Sequence, residues 1–362
     1  MSSGFDEFLA GTVSRESANE ACPCVLGTRV RFARNLAGTS FPVRAGTERK
    51  NEVRKRIFEA SKKLPELADA FYFSLEDLSA TRRDFLIECR CISPELSGDG
   101  AGVVISRNQR IALMVNEEDH LRLQAFAPGN DLGSAWTSAR EIEKKLADSL
   151  NFAFSEKYGF LTACPTNAGT GLRISVMMHL PGFVMDGQME KIVRALDAVG
   201  LTARGGFGEG SDARGCVFQI SNEYTLGISE AETLALMRRW TCDIAEQELA
   251  ARRRMISRER AQFADRIARA YGNLRYAVSL TSAESTELLS LLRIACDADY
   301  FPSGTRECID ELWTEKDRAH IACRAAFRGI VCDEERENLL RAKLFRETLS
   351  AVRPPVFPDF LK

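Results

Sequence analysis

Arginines one residue apart, carboxylates crowded after an apolar run, and a cysteine ahead of a Gly-x-Gly turn are the residues of this sequence best equipped for chemistry. In Gly27-Thr28-Arg29-Val30-Arg31-Phe32-Ala33-Arg34 the alternation of a strand puts Arg29 and Arg31 on one face. Their planar forks suit phosphate oxygens. Taken alone, the ordinary reading is an exposed basic strand face. Asn116-Glu117-Glu118-Asp119-His120-Leu121-Arg122 follows the apolar run Ile111–Val115. Three adjacent carboxylates repel one another unless cations or water intervene, so the cluster either faces solvent as a turn or serves a site. His120 is equally well read as a structural histidine.

A third segment, Cys164-Pro165-Thr166-Asn167-Ala168-Gly169-Thr170-Gly171-Leu172-Arg173, has glycines whose backbone amides could cradle an anion. It lacks Gly-Lys-Ser/Thr and has no lysine between Lys157 and Lys191, which excludes a P-loop. A buried, inert cysteine in a plain turn is the default there. The loop Arg204-Gly205-Gly206-Phe207-Gly208-Glu209-Gly210-Ser211 carries one arginine and one glutamate. No βαβ unit surrounds it, so a dinucleotide fingerprint is excluded as well. Arg252-Arg253-Arg254 reads as a solvated helix face.

These segments need a scaffold, and the chain has material for one. With 362 residues, 45% of them hydrophobic, it can bury a large core and has a soft expectation of two domains. The 49 Lys+Arg balance 51 Asp+Glu, a net charge of −2, so no global basic field argues for a nucleic-acid or membrane partner. No apolar run approaches the ~18 residues of a spanning helix. The start, Met-Ser-Ser-Gly-Phe-Asp-Glu-Phe, has neither the basic nor the apolar stretch of a secretory signal, and a cytoplasmic protein is expected. In that compartment the 11 cysteines read as reduced thiols. The pairs Cys22/Cys24 and Cys89/Cys91 lack a matching pair for zinc.

Strands are expected at Gly102–Arg107, Ile111–Val115, Arg173–His179 and Val217–Ser221, and helices at Ser138–Phe154 and Gln188–Val199. From the capping box Ser229-Glu230-Ala231-Glu232 onward the text is helical and poor in glycine. A second box, Thr281-Ser282-Ala283-Glu284, and the apolar set Leu339, Leu340, Leu344 and Phe345 mark further helices. The fold class is therefore α+β followed by an all-α part. The boundary falls near 230–250, dividing a catalytic unit, 1–240, from a helical one, 241–362.

The order of the first four segments closely resembles the ATP:guanido phosphotransferases, the fold of creatine and arginine kinases, and most specifically the bacterial protein-arginine kinases of the McsB type. The matching stretches are Arg29-Val30-Arg31 with Ala33-Arg34-Asn35, Asn116 to Arg122, Gly159-Phe160-Leu161-Thr162-Ala163-Cys164-Pro165-Thr166-Asn167 through Arg173, and Arg204 to Gly210 with Gln219-Ile220-Ser221-Asn222. The resemblance implies an antiparallel sheet flanked by helices, with ATP and Mg²⁺ as cofactors, the metal bound through ATP. It implies that Arg29, Arg31, Arg122, Arg173 and Arg204 hold the ATP phosphates. Glu118 and Glu209 would hold the acceptor guanidinium, with Glu118 as base and Cys164 as the thiol beside it.

Small-molecule members of that family carry a helical domain before the first Arg-x-Arg segment. Here that segment begins at Arg29 and the additional mass follows Ser229, which is the layout of the protein-arginine kinases. The resemblance thus implies protein substrates presented through arginine side chains and a homodimer. It also implies a possible activator, and a role in marking proteins for Clp-type proteolysis in stress. Three departures stand out. The usual Ser-Ser before Arg29 is Gly27-Thr28, a common histidine before Ile92-Ser93-Pro94 is Arg90, and a phosphoarginine-binding Arg-Asp-x-x-Arg-Ala element is Glu337-Asn338-Leu339-Leu340-Arg341-Ala342. Thr28 and Arg90 are expected at the nucleotide. Glu337 reverses the charge that would meet a phosphate, so loss of that feedback binding is expected.

Overall fold

The computed structural model describes residues 3–12, 22–205 and 214–360 of the chain. Strands β1 (Val25–Arg34), β2 (Phe71–Ser74), β3 (Gly102–Ile105), β4 (Ile111–Val115), β5 (Leu121–Pro128), β8 (Leu172–His179), β9 (Leu201–Gly205) and β10 (Val217–Asn222) form one sheet. A small hairpin, β6 (Phe154–Ser155) with β7 (Gly159–Phe160), stands apart from it. The sheet order is β2-β3-β4-β5-β1-β8-β10-β9, and every neighbouring pair is antiparallel. The helices interleaved with the strands are α1 (Ser3–Ala10), α2 (Thr47–Lys62), α3 (Ala80–Glu88), α4 (Leu132–Ala147), α5 (Pro181–Met185) and α6 (Met189–Asp197). After the last strand come α7 (Glu230–Arg258), α8 (Arg260–Tyr276), α9 (Ser282–Asp297), α10 (Thr305–Glu315), α11 (Arg318–Phe327) and α12 (Glu334–Ser350).

Alternation along the central strands makes the two sheet faces different. Val30, Phe32, Leu123, Ile174, Val176 and Ile220 point to one face and join a buried apolar cluster with Val53 and Ile57 of α2, Ile142 of α4 and Met237 of α7. The other face is apolar only at its margins. At the β2–β4 side, Val103, Ile105, Ala112 and Met114 are covered by Phe5 and Phe8 of α1 and Phe85 of α3. At the far end, Met177 and Val217 pack into the core of the C-terminal helices with Leu289, Leu292 and Trp313. Between these two covered margins lie the polar positions of β5, β1, β8 and β10. Apolar burial of this kind contributes about 25 cal/mol per Å² removed from water, so leaving one strip of a central sheet without it requires a compensating use.

Helix starts follow their capping chemistry. Ser229 and Glu232 complete the capping box of α7, whereas Thr281 makes one half of a box, accepting the Glu284 N–H at 3.1 Å. The helix expected at Ser138–Phe154 instead begins at Leu132, because Asp131 accepts the Ser134 N–H at 3.0 Å, and it ends at Ala147. α7 continues through residue 240, and its Ile244, Ala245 and Ala251 pack in the same cluster as the sheet.

The expected solvated triplet at 252–254 divides. Arg252 is buried, while Arg253 and Arg254 are exposed. Arg252 pairs with Glu248 at 2.7 Å and Asp297 at 2.5 Å, and donates to the His179 carbonyl at 2.6 Å. Glu248 in turn accepts the N–H groups of Gly182 at 2.8 Å and Phe183 at 3.0 Å, capping α5. Asp297 also pairs with Arg306, which reaches Asp310 at 3.1 Å and the Pro23 carbonyl at 3.2 Å. One ionic network thus ties the end of β8 to α7, α9 and α10. Helical periodicity conceals this, because Arg252 faces inward at the same spacing at which its neighbours face water.

A second buried set fixes the turn after β4. One oxygen of Asp119 accepts from Asn35 Nδ2 at 2.6 Å and from the Ala163 N–H at 2.7 Å, and its other oxygen has no partner among the described residues. His120 is structural, accepting the Leu36 N–H at 3.1 Å and sharing a 2.9 Å contact with the Ser40 carbonyl.

Two measurements check this account. Arg252→Ala strands the buried Glu248 without its cation and leaves Asp297 with Arg306 alone, and is expected to cost about 3–5 kcal/mol in urea unfolding, whereas Arg253→Ala changes stability by less than about 0.5 kcal/mol. Burial holds the Asp119 carboxyl above its ordinary range against the hydrogen bonds from Ala163 and Asn35. Its ionised form therefore disfavours folding, a cost that is full at neutral pH and fades as pH falls through the raised folded value. The stability of Asp119→Asn relative to the parent is accordingly expected to be more favourable at pH 8 than at pH 4. A pH-independent difference between the two proteins would remove the assignment.

Candidate active site

Strand register assembles the cationic face. Arg29 lies opposite Ser175 and Arg31 opposite Arg173 across the β1–β8 pair, while Gln124 faces Arg31 and Arg122 faces Ala33 across β1–β5. Arg204 on β9 lies opposite Gln219 on β10. Directly opposed residues of an antiparallel pair share a face, so five arginines from four strands converge on the strip left uncovered by helices.

Arg29 is held by long contacts to Gln124 at 3.4 Å, Ser175 at 3.4 Å and Gln219 at 3.2 Å. Arg173 donates to Ser221 at 3.1 Å. Arg31 makes no hydrogen bond or ion pair with any described residue. Burial, then the charges of Arg122, Arg29 and Arg173, push its pKa well below the usual arginine value, with Glu117 the opposing influence. Arg173 is lowered by burial and then by Arg204 and Arg122. Guanidiniums stay protonated in proteins, so these shifts express electrostatic cost, which a polyanion above the sheet would relieve.

Arg122 stands between this face and the carboxylates. It pairs with Glu117 at 2.5 Å and with Glu118, and Glu117 also accepts from the Ser93 hydroxyl. Glu117 is buried, whereas the Glu118 side chain is 34% exposed. Both side-chain partners of Glu118, Arg122 and Asn167 Nδ2 at 3.0 Å, use Oε1, leaving Oε2 without a hydrogen-bond partner among the described residues. The turn 117–119 is thus an anchored, largely buried element and not a solvated one.

Asn167 belongs to the short 3₁₀ turn Pro165–Asn167 that follows Cys164. Cys164 is half-buried and its sulfur lies 2.9 Å from the Thr166 hydroxyl. The glycines behind this turn serve close packing and do not form an anion cradle. Gly169 has φ +98°, and a Cβ there would sit 2.3 Å from the Thr225 carbonyl. The Gly169 and Thr170 amides are spent on the carbonyls of Phe160 at 3.3 Å and Thr225 at 3.0 Å. With the Asp119–Ala163 bond, these contacts dock the Cys164 loop against the Glu118 turn.

Arg90, which has a left-handed backbone with φ +57°, lines a small cleft with Gly27, Thr28, Arg29, Phe126 and Met177. The Thr28 hydroxyl is buried and donates to the Gly129 carbonyl at 2.9 Å, so its proton is committed to the loop after β5. Glu209 lies outside the described residues, and its position relative to Glu118 is not part of the geometry above. Ser93, Gln124 and Ser175 escaped sequence reasoning, although period-2 spacing from Arg122 and Arg173 would have found Gln124 and Ser175, and Gln219 stood in a matched stretch with no role given to it.

The element at 337–342 has turned inward. Glu337 is buried and pairs with Arg318 at 3.2 Å. Arg341 is buried, donating to the carbonyls of Lys316 and of Leu280 at 2.7 Å and to Asn338 Oδ1 at 2.6 Å. Its guanidinium is a pin between helices and carries no free fork for a phosphate.

Comparison with known proteins accords with this arrangement. Residues 52–251 match the ATP:guanido phosphotransferase C-terminal catalytic domain, and residues 260–358 match the protein-arginine kinase McsB C-terminal domain. The protein-arginine kinase of Halothermothrix orenii is 38% identical over 328 residues, covering 90% of this chain and 93% of that protein. That of Syntrophomonas wolfei is 37% identical, covering 95% and 96%. Among solved structures, lombricine kinase superposes with a TM-score of 0.56 at 25% identity, covering 68% of this chain and 71% of that one. The duplicated taurocyamine kinase of Schistosoma mansoni gives 0.57 at 26% identity, covering 62% of this chain and 33% of that longer one. With a catalytic domain matched over more than half its residues and relatives aligned nearly end to end, the chain belongs to the ATP:guanido phosphotransferase family, in the branch of the protein-arginine kinases.

Proposed function

We propose that the protein transfers the γ-phosphoryl group of ATP to arginine side chains of other proteins. The observation that carries this reading is the unpartnered Oε2 of Glu118 beside a face of mutually repelling arginines. Polyphosphate answers the arginines: Arg29, Arg31, Arg173 and Arg204 would offer forks that bind two oxygens and stay charged when crowded, and Arg122, whose terminal nitrogens hold Glu117 and Glu118, would add its remaining N–H groups. Arg90 and the cleft from Gly27 to Gln219 would receive the remainder of the nucleotide.

The acceptor guanidinium is a poor nucleophile, because its lone pairs are delocalised and its pKa exceeds ~12. Glu118, joined by Glu209, would grip the acceptor fork and align one terminal nitrogen with the γ-phosphorus. As the N–P bond forms and the bond to the departing ADP oxygen breaks, one N–H proton passes to Glu118 Oε2. Arg122 and Asn167 hold the other Glu118 oxygen, so the accepting one keeps its aim. Cys164, on the loop docked against the Glu118 turn, would place its sulfur beside the acceptor. Mg²⁺ arriving on the nucleotide supplies neutralisation of phosphate charge. As the family resemblance implies, the metal would be bound through the ATP phosphates.

Protein-bound arginine is favoured over a free guanidine because the protein-arginine kinases align with the chain almost completely, C-terminal domain included. The free-guanidine reading draws support from the lombricine and taurocyamine kinases, which share the catalytic part. The proposal extends to a cytoplasmic homodimer acting with an activator and a Clp-type protease in stress, as the family resemblance implies. No helix among the described residues is long and apolar enough to cross a membrane.

Labelled ATP offered with casein or with free arginine separates these readings. Acid-labile label on casein is expected, and label on free arginine alone, or on neither, would overturn the proposal. Glu118→Gln and Glu209→Gln are each expected to lower kcat at least ~10²-fold while nucleotide affinity stays within about threefold.

A further inference from the structure

Away from the arginine cleft, a groove of about 940 Å³ opens between α1, α3, α11 and α12; none of the cleft's arginines or carboxylates lines it, and of the 337–342 element only Glu337, with its partner Arg318, does. Its floor is apolar, formed by Phe5, Ile87, Ala322 and Ala326, and at its lip Phe327 is 69% and Val331 83% exposed. The charged residues around it are Asp6, Asp84, Glu88 and Glu337 against Arg82 and Arg318.

Both cations are already engaged. Arg82 pairs with Asp6 at 3.1 Å and covers the Phe5 ring, and Arg318 pairs with Glu337 at 3.2 Å. Glu88 is occupied by the N–H groups of Ala319 at 2.8 Å and His320 at 2.9 Å. Asp84 is exposed and has no cation within pairing distance among the described residues. Burial first, then Glu88 and, against Arg82, Asp84 push the Cys323 thiol up to about 11. The groove is therefore apolar with more acidic than basic lining residues; its lining includes Asp84, which makes no ion pair among the described residues but lies in the field of Arg318, and the exposed Phe327 ring.

We infer that this groove docks a segment of the protein substrate in which an unmodified arginine stands next to an apolar residue. The arginine would meet Asp84, while the apolar neighbour fills the floor. A volume near 940 Å³ suits several side chains and not a single small ion. Charge sets the direction of selectivity. A phosphorylated arginine brings negative charge toward Asp84 and Glu337 and is rejected, so the groove holds substrate and releases product. This inference rests on the proposed function for its choice of partner.

Fluorescence anisotropy tests it on the full chain carrying Glu118→Gln, which suppresses turnover. The probe is a short labelled peptide with one arginine flanked by leucines, compared with peptides carrying glutamate or phosphoarginine at that position. The arginine peptide is expected to bind at least ~10-fold more tightly than either, and Asp84→Lys and Ala326→Trp should each weaken it by at least ~10-fold. Both substitutions are at exposed positions, and an unchanged urea midpoint certifies their folding. Equal binding of the arginine and glutamate peptides, or binding indifferent to Ala326→Trp, would overturn the inference. Absence of phosphoryl transfer in the parent protein, with this binding pattern intact, would instead count against the proposed activity and leave the groove standing.

Discussion

Arg31 stands on its sheet face among Arg29, Arg122 and Arg173, with no carboxylate paired to it among the described residues, and this repulsion, opposed in part by Glu117, is the constraint around which the rest of the molecule is arranged. Four like charges on neighbouring strands can be held there only if something else stabilises the sheet. The opposite face does so, with Val30, Phe32, Ile174 and Val176 buried under α2, α4 and α7. The strands would form for those apolar residues alone. The arginines occupy the alternate positions and are carried along by the pleat.

Repulsion among cations becomes useful only beside an anchored negative end. Arg122 supplies the junction, since one guanidinium bonds both Glu117 and Glu118. Glu117 is buried and secured by Ser93, whereas Glu118 keeps one oxygen unengaged. Asp119, next along the chain, ties the same turn to Asn35 beyond β1 and to the loop of Cys164. Three consecutive acids therefore do three different jobs, separated by burial and by the partner each meets.

The same contrast recurs at 252–254. Arg252 is locked between Glu248 and Asp297, and its loss would leave uncompensated charge inside the protein. Through Arg306 the network reaches Pro23, just before β1, so the strand carrying Arg29 and Arg31 is braced against the C-terminal helices. The helical part is thus continuous with the frame that holds the cationic face.

Much was legible in the residues themselves. The α+β class, the all-α end, the boxes at Ser229 and Thr281, and the shared face of Arg29 and Arg31 follow from period, capping and alternation, which are local properties of the chain. The ordered motifs likewise suffice to identify the family. What required the tertiary structure depends on partners distant in sequence. Antiparallel register, which no local pattern encodes, decides that Arg122 and Arg173 join Arg29 and Arg31 on one face. Burial decides that Arg252 points inward while Arg253 does not, and that Asp119 is a tie and not a solvated acid. Close approach of Gly169 to Thr225, and not anion binding, accounts for the Gly-x-Gly turn. A side chain's type states what it can do. Which charge or backbone it meets is settled only when strands far apart in the chain lie next to one another.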